Sequence, residues 1–252
     1  MYIEDENEES YLFSANTSIK DTTKRKQRKA PQQRDNHLSV KPITPKTAPQ
    51  KQMIQEFMSG FNIIATGSAG TGKSYIASYL ALDALFRKEV SKIIVVRSAV
   101  PSRDMGFLPG SLQEKTEIFT IPYKQIFDEL CENGTAWDVL VKKGMVEFIT
   151  TSYVRGITLN NSIVIVDEAQ NMTFHELDSI ITRMGCDTRL FVCGDTKQCD
   201  LAQKREKSGL EEFVMVASKM SKYFDTVNFT KHDIVRSELV KDWIITKEDS
   251  GM

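Results

Sequence analysis

The stretch Gly67-Ser68-Ala69-Gly70-Thr71-Gly72-Lys73-Ser74 constrains this chain more than any other. It follows the apolar run Phe61 to Ala65 and leads into Tyr75 to Phe86, where Ile76, Tyr79, Leu80, Leu82, Ala84 and Leu85 predict a helix with an apolar face. Strand, G-x-x-x-x-G-K-[ST] loop and helix in that order form the phosphate-binding loop pattern. Glycines let such a loop turn tightly and present backbone N–H groups to phosphate oxygens, at the positive end of a helix. Lys73 supplies a point charge for the outer phosphates, and the Ser74 hydroxyl suits a magnesium ion. A glycine-rich turn that happens to precede a helix is the bland reading; the full match in its strand–loop–helix setting weighs against it.

Around that loop the chain alternates between the two periodicities of an α/β domain. Gln50 to Ser59 has helical spacing, and Phe61 to Thr66 is the first core strand. Lys92 to Arg97 holds Ile93-Ile94-Val95-Val96, the continuous apolar run of a strand covered on both faces. Leu112 to Leu130 reads as helix with a break at Pro122, and Val146 to Thr150 as a short strand. Thr151 to Leu159 reads as a connection. Ile163 to Val166 is a further buried strand. Helical spacing from Thr173 to Met184 starts with a capping-box sequence, Thr173 to Glu176. Leu190 to Cys193 and Phe224 to Phe229 read as strands, and Leu210 to Met220 and Ser237 to Ile245 as helices. The expected architecture is a mostly parallel sheet flanked by helices, with no repeat and no room for a second full nucleotide-binding domain.

Residues 1 to 44 are of different composition. Glu4 to Glu9 is acidic, Lys20 to Lys29 is basic with Lys24-Arg25-Lys26 and Arg28-Lys29, and few large apolar residues interrupt them. Such a segment does not offset its ordering entropy by burial, so it is expected to be a disordered arm ahead of a folded domain at 45–252. Its basic part is suited to nucleic acid phosphates, or is simply a solvated linker. The whole-chain net charge of -1 selects no partner. No apolar run approaches the ~20 residues needed to span a bilayer, and Met1 to Glu6 does not resemble a secretory signal. The expected location is therefore cytoplasmic. The 4 cysteines form no C-x-x-C pair and only 3 histidines are available, which disfavours zinc and leaves the thiols reduced and structural.

Two further stretches carry chemistry. Ile163 to Val166 ends in Asp167-Glu168, the acidic strand end expected beside a phosphate loop. Asp167 is placed to hold magnesium opposite Ser74, directly or through water, and Glu168 to orient or deprotonate an attacking water. Gly194-Asp195-Thr196-Lys197-Gln198 follows another strand. Strand C-termini line the ligand crevice of a parallel sheet, so Gln198 or Asp195 is a candidate sensor of the terminal phosphate.

At these residues the chain resembles the PhoH-like proteins, phosphate-loop ATPases related to superfamily 1 helicase cores. The stretches that carry the resemblance are Pro45-Lys46-Thr47 with Gln50; Gly67 to Ser74; Arg97-Ser98-Ala99-Val100; Gly106 to Lys115; Arg155 to Leu159; Val166 to Asn171; Gly194 to Leu201; and Asp233 to Arg236. Gly106-Phe107-Leu108-Pro109-Gly110-Ser111-Leu112-Gln113-Glu114-Lys115 is the most diagnostic, because phosphate-loop proteins in general lack it. The resemblance implies a RecA-like core that binds and hydrolyses ATP with magnesium. It implies that Gln50 reads adenine and that Gln198 senses phosphate. Ser98 stands where the family usually has proline, and Ser74 where it often has threonine; the serine keeps the hydroxyl.

Phosphoryl transfer ordinarily uses an arginine to stabilise charge on the transferring group. With one core expected, Arg236, and less readily Arg97 or Arg155, is expected to reach a phosphate across a subunit interface, which implies a homo-oligomer such as a ring. Three functions follow: an ATPase acting on single-stranded nucleic acid, RNA before DNA; an ATP-driven switch or assembly factor for a protein partner; and a small-molecule kinase. No arginine-rich lid follows the loop, and Glu168 suits water activation, which disfavours the kinase.

Overall fold

The computed structural model describes residues 38–98, 112–195 (side chains from 117) and 208–250. Gln198, the stretch from 99 to 111 and most of the expected N-terminal arm lie outside the described residues.

The strands are β1 Asn62–Gly67, β2 Lys92–Arg97, β3 Val146–Thr150, β4 Ser162–Val166, β5 Arg189–Gly194 and β6 Phe224–Phe229. They form a 6-stranded sheet in the order β3-β2-β4-β5-β1-β6, and every pairing is parallel. A parallel sheet needs a crossover between successive strands, and helices supply it, so both faces are covered and the inner strands β1, β2, β4 and β5 read as near-continuous apolar runs, while the edge strands β3 and β6 carry Glu147, Asp225 and Asn228.

The period-2 alternation of strand side chains sorts those runs into two cores. Ile63, Ala65, Ile93, Val95, Ile163, Ile165, Phe191 and Cys193 face one core, which helices α1 Ala48–Met58, α2 Lys73–Phe86, α3 Leu112–Leu130 and α4 Ala136–Lys142 complete. Ile64, Ile94, Val96, Val164, Val166, Leu190 and Val192 face the other, with α5 Thr151–Val154, α6 Phe174–Ile181 and α7 Leu210–Ser218. The last helix is α8 Glu238–Asp249, which buries no residue.

Local signals set the helix starts. Thr47 caps α1 with a proline in its first turn, and Thr173 and Glu176 form the expected capping box on α6. Three expectations are corrected. First, α3 runs through Pro122 without ending. A helix-interior proline costs on the order of 3 kcal/mol, and the burial of Tyr123, Phe127 and Leu130 beyond it, each worth roughly 1.5–3 kcal/mol, outweighs that. Second, α4 and the one-turn α5 stand where no helix was expected, because elements so short carry too few periods to be read. Third, packing starts ahead of residue 45: Leu38, Val40 and Ile43 lie against the first core, and the Lys41 N–H donates to the Leu130 carbonyl at 2.8 Å.

Candidate functional site

The functional side chains gather at the C-terminal ends of β1, β4 and β5. β5 lies between the other two, with Thr66 of β1 in register with Gly194 and Val166 of β4 in register with Val192. The cleft there has a volume of about 1160 Å³ and is lined by Gln50, Lys73, Ser74, Asp167, Glu168 and Arg236, among others.

Gly67 leaves β1 at φ +121°, and a Cβ there would lie 1.7 Å from the Phe229 carbonyl oxygen of neighbouring β6. Only glycine lets the chain turn there. The loop then wraps Lys73, whose ammonium donates to the carbonyls of Gly67 at 2.7 Å and Ser68 at 2.8 Å. Burial lowers the Lys73 pKa, and the nearby Cys193, Asp195 and Asp167 oppose that shift. The cation is thus held half-buried by weak carbonyl partners, ready for stronger anionic ones.

Gln50 is 3% exposed and braces the same loop. Its amide donates to the Thr71 carbonyl at 2.9 Å and its side-chain oxygen accepts from the Lys46 N–H at 2.8 Å. A carboxamide carries two donors and two lone pairs, so each end keeps a further capacity for a base edge. The Val235 N–H donates to the Gly70 carbonyl at 3.0 Å, and a Cβ on Gly70 would come 3.1 Å from Arg236 Cγ and 3.6 Å from its Nε. Arg236 therefore lies over its own chain's loop.

On the opposite wall the Asp167 N–H donates to the Val96 carbonyl at 3.0 Å, which pins the end of β4 to β2. Asp167 Oδ1 accepts from the Ser74 hydroxyl at 2.8 Å, and Oδ2 from the Tyr123 hydroxyl at 2.5 Å. Magnesium is bound through one or two carboxylates together with substrate phosphates. The residues fit it: Ser74 and Asp167 place two hard oxygen donors side by side on the cleft. Among the described residues no group of three His, Cys, Asp or Glu is arranged to hold a metal by protein ligands alone.

Glu168 takes a left-handed backbone at φ 53°, an arrangement costing about 1–3 kcal/mol that persists only when its surroundings hold it. Gln170 does so, donating to Glu168 Oε2 at 2.5 Å while its own oxygen accepts from the Asp195 N–H at 2.9 Å. Arg97 Nη2 stands 3.8 Å from Glu168 Oε1, with its guanidinium over the Phe119 ring. Burial raises the Glu168 carboxyl above its ordinary value; the charge of Asp167 adds to this, while Arg97, the Gln170 hydrogen bond and Lys73 oppose it. A carboxylate half-buried, strained and raised in pKa has the marks of a general base.

The structure thus brings Gln50, Gly67 to Ser74, Asp167, Glu168, Asp195 and Arg236 together. The sequence reading missed Tyr123, Gln170 and Glu248. Tyr123 reads as one more core aromatic. Gln170 lies within the stretch Val166 to Asn171, where nothing in the sequence assigns it a role. Glu248, of α8, accepts from the Ser68 hydroxyl at 2.9 Å, a contact between residues so far apart in sequence that no local pattern signals it.

Comparison with known proteins agrees with this geometry. The family model described as PhoH-like protein matches residues 42–247. The chain is 37% identical over 203 residues to a PhoH-like protein of Synechocystis sp., covering 79% of this chain and 60% of that one. It is 36% identical over 205 residues to a PhoH-like protein of Bacillus subtilis, covering 79% and 62%. Against Protein PhoH of Escherichia coli K12 it is 35% identical over 203 residues, covering 79% and 56%. The chain thus spans little more than half the length of these curated relatives. Among solved structures it is similar to the Pif1 helicase from Candida albicans at TM-score 0.39 and 16% identity, over 75% of this chain and 40% of that one, a likeness too slight to carry any conclusion. The family match runs through the phosphate loop, the Asp167–Glu168 strand end and Arg236, on a parallel sheet of RecA-like P-loop NTPase architecture. By that match the chain belongs to the PhoH-like family.

Proposed function

We propose that this protein is a cytoplasmic, magnesium-dependent ATPase whose hydrolysis is coupled to single-stranded nucleic acid, RNA in the first instance. The observation that carries the hydrolytic reading is Glu168, held by Gln170 and Arg97 in a strained backbone on the same cleft as the phosphate loop. In this reading the loop N–H groups and Lys73 bind the phosphates, and Gln50 meets the adenine edge with its remaining donor and acceptor. Ser74 and Asp167 hold the magnesium ion, which when bound neutralises charge on the outer phosphates. Glu168 orients the attacking water and accepts its proton. Gln198, which follows β5 in the sequence, is proposed to sense the terminal phosphate.

Support for a nucleic acid partner comes from the basic stretch Lys20 to Lys29 in the proposed N-terminal arm. A protein partner is the second reading, favoured by Leu239 and Trp243, which are 79% and 70% exposed at i, i+4 spacing on α8. Phosphate release from ATP, measured with and without single-stranded RNA and single-stranded DNA, tests the proposal. Several-fold stimulation by RNA is the expected result. A flat response would move the reading to the protein partner, and release no greater than from a Lys73→Ala chain would remove hydrolysis altogether.

Arg236 is proposed to stabilise the transferring phosphoryl group within its own chain. When Lys73→Ala and Arg236→Ala chains are mixed, their activity is expected to stay at the level of the separate variants, even where they co-assemble. Recovery would place Arg236 in a neighbour's site and support the homo-oligomeric ring.

A further inference from the structure

Asp167 is held at both carboxylate oxygens by different elements. Ser74, at the start of α2, donates to Oδ1 at 2.8 Å, and Tyr123, in the middle of α3, donates to Oδ2 at 2.5 Å. The tyrosine is 1% exposed. Its ring is walled by Phe148 of β3, with centroids 5.9 Å apart, and by Trp137 of α4 at 6.4 Å. Phe127, one turn further along α3, packs edge-on to the same Trp137 at 5.0 Å. A buried tyrosine needs a partner for its hydroxyl, and a backbone carbonyl would serve. Here the partner is the carboxylate that faces Ser74 across the cleft.

The geometry points to Tyr123 as a positioning residue: its buried hydroxyl locks the Asp167 carboxylate so that Oδ1 stays turned toward Ser74 and a divalent cation. This rests on the reading of Ser74 and Asp167 as the cation pair. The β4–β2 hydrogen bond from Asp167 to Val96 fixes the backbone. The side chain still has its own torsions, and a single donor at Oδ1 leaves the carboxylate free to swing about that contact. A second donor on Oδ2, carried by a ring that packing immobilises, removes that freedom. Its one hydrogen goes to the oxygen away from Ser74, so the Ser74-facing oxygen keeps its remaining lone pair for the ion or for a water on the ion. Partners of this kind, which orient a ligand without touching the metal, typically contribute 10–100-fold to metal affinity.

The test is Tyr123→Phe in the full chain, which keeps the ring and removes only the hydroxyl. Mn²⁺ binding is followed by electron paramagnetic resonance in the presence of a saturating non-hydrolysable ATP analogue. Half-saturation is expected to rise about 10–100-fold, with the metal-free affinity for the analogue unmoved. A hydroxyl that merely satisfies the core would lower the melting temperature and leave Mn²⁺ affinity at the wild-type value; that result overturns the proposal. If Tyr123→Phe fails to fold, Phe148→Leu replaces it, loosening the wall while keeping the hydroxyl. It is expected to weaken Mn²⁺ in the same direction, and unchanged affinity overturns the proposal equally. A wild-type chain that binds the analogue but no Mn²⁺ removes the cation reading and this proposal with it. Wild-type binding with an unaffected variant removes the role of Tyr123 alone.

Discussion

Glu168→Gln is expected to lower the rate of ATP turnover by about 10²–10⁴-fold, the usual worth of a positioned general base. ATP affinity is expected to be retained, because Glu168 lies on the wall opposite the loop residues that take the phosphates. The amide keeps the shape of the carboxylate and loses its basicity, so Gln170 and Arg97 still surround a side chain of the same size. Single-turnover hydrolysis together with equilibrium binding of a fluorescent ATP analogue separates the two effects. The pH profile adds a sign. Burial and Asp167 raise the Glu168 pKa, and the active form of a base is the deprotonated one. Wild-type turnover should therefore fall, as pH is lowered, at a midpoint above the ordinary glutamate range, and that acid limb should vanish in Glu168→Gln. An equal loss of binding and turnover, or an acid limb that survives the substitution, would assign the base elsewhere.

The second large effect is on the loop itself. Gly67→Ala would put a methyl group 1.7 Å from the Phe229 carbonyl oxygen, at a φ of +121° that side chains rarely adopt. Backbone strain and overpacking each cost about 1–3 kcal/mol, so a loss on the order of 3 kcal/mol of stability is expected. Relief is open only by separating β1 from β6, whose ladder runs from Asn62 with Phe224 to Gly67 with Phe229. That opening would also unseat Lys73, whose ammonium is anchored on the Gly67 carbonyl. Urea denaturation and nucleotide binding should both report the change. A variant that melts like the wild type and binds ATP normally would show that the loop leaves β1 by a different route.

Much of this site is written locally. The apolar runs give the parallel strands, because a strand covered on both faces is mostly apolar, with few polar exceptions such as Ser162 and Thr66. The loop announces itself because its glycines, lysine and serine are neighbours in sequence. Asp167 and Glu168 are legible for a related reason: they follow the apolar run Ile163 to Val166, so the charges must lie where that strand leaves the sheet at its C-terminal end. The limits are equally physical. Pro122 reads as a break because its effect is local, while the burial that overrides it comes from Phe148 and Trp137, on β3 and α4. Arg236 reads as a lone charge, and only the hydrogen bond from Val235 to Gly70 and the closeness of Gly70 to Arg236 Cγ set it beside its own loop.

By itself, then, the sequence determined the fold class, the phosphate loop and the acidic strand end, since each depends on the order of adjacent residues. Tertiary structure decided which side chains hold these parts in place. Tyr123 on Asp167, Gln170 between Glu168 and Asp195, Gln50 under Thr71 and Glu248 on Ser68 are single hydrogen bonds. Their partners, save Gln170 and Glu168, are brought together by the folded sheet and helices. A hydrogen bond of that kind has no period and no spacing, so it exists only once the sheet has closed.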